Sequence, residues 1–96
     1  MKEPHEYTLQ DLLKTVYEQN EMSDAVNRKA ATEAYYDVVG ELIAQLSSNI
    51  RLQKGVLHVK ISSAALRQEM MLRKDSLMSK INEKMDRFKI TDIAFH

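Results

Sequence analysis

The stretch "RLQKGVLHVKISSAALRQEM", residues 51–70, decides the fold, because the spacing of its apolar residues changes inside it. Just upstream and through its first half, Ile50 and Leu52 alternate with Asn49 and Arg51, and Leu57, Val59 and Ile61 alternate with Val56, His58 and Lys60. A period of two is the signature of strands with one buried face. Lys54 and Gly55 stand between the two runs and supply the turn, so the pattern predicts one hairpin whose outer face carries Asn49, Arg51, His58 and Lys60. Ser62 and Ser63 follow directly before AALRQEMML, where a hydroxyl accepts the free N–H groups of a helix start. A nucleophile elbow reads G-x-S-x-G, and these serines are flanked by Ile61 and Ala64, so they read as caps.

Working back toward the N-terminus, the period becomes helical. From about Ala30 to Leu46, the residues Ala31, Ala34, Tyr35, Val38, Val39, Leu42, Ile43 and Leu46 repeat at helical spacing. Gly40 lies inside this run and costs about 1 kcal/mol of helix propensity relative to alanine, which points to a strand packed too close for a side chain. Earlier still, Thr8 is a candidate N-cap with Asp11 in the first turn, and Leu9, Leu12, Leu13, Val16 and Tyr17 form an apolar stripe. That helix is expected to end near Asn20, with Ser23 and Asp24 offering a fresh cap for a short helical turn. Whether residues 23–46 form one helix or two stays open at this level.

Working forward, Leu66, Met70, Leu77, Ile81 and Met85 form one stripe over a helical stretch from about Ser63 to Lys84. Lys74 falls in the middle of that stripe and Asp75-Ser76 is a competent cap, so a kink or short turn is predicted at Arg73 to Ser76. Ile90, Ile93 and Phe95 read as a last short strand, with Ile93 and Phe95 on one face. The expected core is Tyr35, Val39, Leu42, Leu57, Val59, Leu66, Ile81, Ile93 and Phe95, while Met71 and Met78 are expected to show outside. The resulting order, α-(α)-α-β-β-α(-α)-β, predicts an α+β fold: a three-stranded sheet with helices packed on one face, the last strand reaching the sheet by a helical crossover. It is the element order of the K-homology type II fold, a likeness that by itself assigns no function.

The 96 residues suffice for a single domain, expected over residues 8–96, behind a flexible N-terminus at residues 1–7. The chain has no apolar run of membrane-spanning length, and MKEPHEY lacks the apolar core of a signal peptide, so a cytoplasmic protein without membrane contact is expected. The absence of cysteine removes disulfides, thiol nucleophiles and cysteine zinc sites. His5, His58 and His96 have no helical i, i+3 or i+4 partner, Gly40 and Gly55 are the only glycines, and no phosphate-cradling loop exists. No metal, cofactor, small-molecule substrate or catalytic site is expected, and the chain reads as not an enzyme.

Charge is where a partner is written. Residues 1–47 hold four basic side chains against nine acidic, a net of minus five, and residues 48–96 hold ten basic against five acidic, a net of plus five. Arg51, Lys54 and Lys60 come from the hairpin, and Arg73, Lys80, Lys84 and Arg87 fall within one narrow arc of an ideal helix, with Lys74 beside them. These are the candidate contacts to a phosphate backbone. Glu33, Asp37 and Glu41 stand one helical turn apart and form a candidate acidic ridge for a protein partner, and the basic hairpin is the rival docking surface, between which the sequence does not choose. A K-homology RNA clamp needs a GXXG loop, whereas this chain has RKDS at residues 73–76, and Asp75 would repel phosphate. Sequence-specific readout of that kind is not supported.

Taken in order, Tyr35, Val38-Val39-Gly40, Ile43-Ala44, Gly55-Val56-Leu57-His58-Val59, Ser62-Ser63, Ile81-Asn82 and Thr91-Asp92-Ile93-Ala94-Phe95 resemble the DciA family of bacterial replicative-helicase loaders, long catalogued as a domain of unknown function. The likeness spans roughly residues 9–95 and rests on the conjunction in order. Family members often carry tryptophan where this chain has Tyr35, and many carry a long basic tail, so the chain resembles the short form made of the K-homology-like domain alone. The resemblance implies a non-enzymatic adaptor in DNA replication, without a motor of its own, that binds the replicative helicase and helps place it on single-stranded DNA, which it binds weakly. A small RNA-binding module of K-homology-like fold is the alternative.

Overall fold

Thr8 starts the first helix as the spacing predicts. Its hydroxyl accepts from the Asp11 N–H at 3.1 Å, and its own N–H donates to the Asp11 carboxylate at 3.2 Å, a reciprocal cap. The computed structural model describes residues 8–96, apart from the side chains of residues 13–23. The flexible N-terminus expected over residues 1–7 lies outside that range, as do the side chains of Leu13, Val16 and Tyr17. Helix α1 runs Leu9–Gln45, followed by strands β1 (Ser47–Gln53) and β2 (Val56–Ile61), helices α2 (Ala64–Leu72) and α3 (Lys74–Lys84), and strand β3 (Asp92–Phe95). At about 1.5 Å per residue, α1 sets the long dimension of a molecule measuring 61 × 23 × 19 Å.

Two expectations for α1 are corrected. The helix does not stop near Asn20: between residues 20 and 30 there is neither proline nor glycine, and the Ser23-Asp24 cap goes unused within a continuous helix. The single interruption is at Gly40, with φ 84° and ψ 172°. A Cβ there would meet nothing within 4 Å, so the glycine is required by its backbone conformation and not by a strand pressed against it. The break shifts the helical phase of Glu41–Gln45, which explains the second miss: Leu42, expected in the core, is 74% exposed.

The hairpin forms as the alternation predicts. Lys54 (φ 51°) and Gly55 (φ 82°) both take positive φ, the backbone of a type I′ turn that matches the twist of the strands. Ser48 pairs with Lys60 and Arg51 with His58, so Asn49 and Ile50 together oppose Val59. This is a bulge, with Asn49 (φ 50°) as the residue that absorbs it. The bulge keeps Arg51 on the same face as Ser48 despite their odd spacing. Strand β3 lies parallel to β2, giving a mixed sheet ordered β1-β2-β3.

The helices pack on the face carrying Leu57, Val59, Ile61 and Ile93, all buried together with Tyr35, Met70, Ile81 and Met85. Val39, Leu66 and Phe95 are partly buried against that core. By strand alternation the opposite face carries Ser48, Arg51 and Gln53 from β1, Val56, His58 and Lys60 from β2, and Asp92 and Ala94 from β3. This is the α+β, K-homology-like arrangement expected from the element order.

The break between α2 and α3 falls at Arg73, inside the predicted window, but the cap is not Asp75-Ser76. Arg73 itself occupies the cap position, without a side-chain cap bond, and Asp75 lies in the first turn of α3. Ser63 caps α2 by accepting from the Leu66 N–H at 3.2 Å. Met71 is exposed as expected, whereas Met78 is half-buried against the core. Ile90 precedes β3 and is clasped by Asn82, whose amide donates to the Ile90 carbonyl (3.0 Å) and whose oxygen accepts the Ile90 N–H (2.8 Å). Asn82→Ala strips both bonds from a buried residue's backbone and is expected to cost about 1–2 kcal/mol, read as a lower urea midpoint at unchanged m-value.

Candidate nucleic-acid and partner surfaces

A buried chain of hydroxyls fixes where the acidic and basic halves meet. Ser47 donates to the Ile43 carbonyl at 2.7 Å, so at 2.8 Å it is the Tyr35 hydroxyl that donates to Ser47. Burial pushes the Tyr35 phenol above its usual range, opposed in part by the bond to Ser47. The aromatic residue is thus a structural anchor that ties α1 to the start of β1 across the Gly40 break.

The structure splits the basic residues into groups that the helical wheel did not separate. Arg51 and Lys60 share the outer face of the sheet, and Lys54 projects from the turn; all three are exposed. Lys80 and Lys84 stand one turn apart on α3 and are exposed. Arg73 sits at the α2–α3 break and Arg87 lies beyond the end of α3, so the four-residue arc, which presumed one helix, does not persist.

Two of these cations are already engaged. Arg73 bonds the Glu69 carboxylate at 2.9 Å, and the half-buried Lys74 meets Asp92 at 3.2 Å. The Lys74 ammonium, with help from the Ile93 N–H, holds the Asp92 carboxyl below its usual range. The RKDS segment is therefore a one-residue helix break pinned by carboxylates, not an open loop for a nucleic-acid backbone. Among the described residues, no ion pair engages Arg51, Lys54 or Lys60.

Glu33 and Asp37 are exposed one turn apart on α1, while Glu41 is exposed on the far side of Gly40 and loses the shared helical register. A cleft of about 840 Å³ lies along the hairpin tip, lined in part by Asp24, Asn27, Lys54, His58 and Phe88. Among the described residues no cluster of three or more metal-ligating side chains occurs, and no helix is long and apolar enough to cross a membrane.

One pair escaped the sequence reading. His58 Nδ1 and His96 Nε2 lie 3.0 Å apart. Helical spacing could not show it, because the contact depends on β2 and β3 being parallel neighbours with Val59 opposite Phe95. Only that register sets His96 diagonally beside His58.

No curated protein matches the chain. A family model does, over residues 8–95, nearly the whole sequence. The matched segment begins at the Thr8 cap and ends on β3, enclosing every element described above, and the chain belongs to the family described as Dna[CI] antecedent, DciA.

Proposed function

We propose that this protein is a non-enzymatic adaptor, a single K-homology-like domain over residues 8–96, that binds the replicative helicase and assists its loading onto single-stranded DNA in the cytoplasm. Family membership carries the reading, since the family is replication-associated and linked to the replicative helicase. The charge division supports it: an N-terminal half at minus five and a C-terminal half, holding the sheet and the last two helices, at plus five suit one face for a protein and another for phosphate. The DNA contacts proposed are Arg51, Lys54 and Lys60, with Lys80, Lys84 and Arg87 as a second group; Arg73 and Lys74 would have to give up carboxylates to join them. Glu33 and Asp37, with Glu41 beyond the break, are the proposed helicase contacts.

Mixed with the replicative helicase of its own organism, the protein should co-elute and should raise helicase loading on single-stranded DNA without hydrolysing ATP. Charge reversal at Glu33, Asp37 and Glu41 should abolish co-elution, whereas reversal at Arg51, Lys54 and Lys60 should spare co-elution and weaken DNA binding. DNA affinity should fall steeply with salt, as counterion release requires. Failure of the unmodified protein to co-elute, together with recovery of RNA on pull-down, would replace the adaptor with an RNA-binding module.

A further inference from the structure

We propose that the open face of the sheet holds a base-stacking site for single-stranded DNA, with His58 and His96 as its platform and Arg51 and Lys60 as its phosphate contacts. The inference deepens the DNA-binding part of the proposed function and rests on it. The two imidazoles lie 5.2 Å apart between centroids, 16° from parallel, with their facing nitrogens 3.0 Å apart. The N···N separation together with the offset of each nitrogen from its own ring centre makes up the distance between centroids, so the rings meet edge to edge and form one almost flat plate, broader than either imidazole alone. Flat π surfaces are what unpaired bases stack on, irrespective of sequence.

The plate is held in place rather than dangling from the end of the chain. The His96 N–H donates to the Val59 carbonyl and the His96 carbonyl accepts from the Ile61 N–H, both at 2.8 Å, so the backbone of residue 96 extends the pairing of β3 with β2. His58 sits on the central strand. Directly across from it stand Arg51 on β1 and Ala94 on β3, the latter offering only a methyl group beside the rings. Lys60 is the next residue on the same face of β2. Arg51 and Lys60 are exposed and, among the described residues, carry no ion pair. Among the described residues, the one side-chain carboxylate on this face of the strands is Asp92, which lies across from Val56 and is tied to Lys74. His58 also lines the cleft that leads to Lys54 at the hairpin tip, a path along which a strand leaving the plate meets another cation.

The test is fluorescence anisotropy of a labelled oligo-dT in low salt with the full chain, comparing the wild type with His58→Ala, His96→Ala and His58→Phe. Loss of a stacked base typically weakens binding on the order of ten-fold or more. Both alanine variants should show that loss, while His58→Phe, which keeps a ring without its nitrogens, should stay within about two-fold of the wild type. The His96 side chain is exposed and its two backbone bonds survive truncation, so His96→Ala gives a reading even if His58→Ala disturbs the strand. Wild-type binding with undiminished affinity in His96→Ala, or a His58→Phe variant as weak as His58→Ala, overturns the platform and leaves the adaptor reading intact. A wild type that binds no oligo-dT at any salt overturns the DNA-binding reading itself, and the platform with it.

Discussion

Leu57→Ala is expected to lower the free energy of unfolding by about 2–5 kcal/mol, measured by urea denaturation. Leu57 is completely buried on the central strand, between Leu52 on β1 and Ile93 on β3, and faces the helical layer. Truncation removes the transfer free energy of the lost methyl groups and leaves a cavity whose rim, held by pairing on both sides, collapses only in part. In a domain of ordinary stability, about 5–15 kcal/mol, that is a large share of the whole. The matched control is Leu42→Ala: at 74% exposure its loss should stay within about 0.5 kcal/mol. Similar costs for the two variants would mean that the phase shift at Gly40 is absent in solution.

That contrast also marks where the sequence was legible. The hairpin could be read because five apolar residues alternate around a Lys-Gly turn that only a tight connection satisfies, and Ser63 could be read because a hydroxyl before an apolar helical run has few other uses. The break at Arg73 was visible through Lys74, a charge in the middle of an apolar stripe. What failed were inferences that extended one period through a residue able to end it. Continuing α1 through Gly40 misplaces Leu42 and Glu41, and continuing one helix through two ends lines up Arg73, Lys80, Lys84 and Arg87. Ser23-Asp24 shows the converse: residues that favour caps sit within a continuous stretch of helix. The His58–His96 contact needs the parallel register of β2 and β3, a long-range fact that no local period contains. The same holds for the ion pairs that occupy Arg73 and Lys74.

Gly40→Ala tests the feature that sequence reasoning misread. At φ 84° and ψ 172° the residue occupies a region that is essentially restricted to glycine, and a side chain there carries strain of about 1–3 kcal/mol. Because a Cβ at this position meets nothing within 4 Å, the cost would come from the backbone alone. The chain has one way to relieve it, which is to continue α1 as a regular helix, gaining about 1 kcal/mol of propensity from alanine. Doing so would swing the segment that carries Ser47 away from Tyr35 and break the 2.8 Å bond from the buried Tyr35 hydroxyl to Ser47. Such a bond contributes about 1 kcal/mol, and an unpaired buried hydroxyl costs more than that. Straightening would also undock α1 from β1, against which it packs, so it loses more than it recovers, and the variant should keep the bent backbone and unfold at a lower urea concentration with unchanged far-UV ellipticity. A rise in helical ellipticity with equal or greater stability would show that the bend is not required, and that the anchoring of β1 by Tyr35 contributes less than its burial indicates.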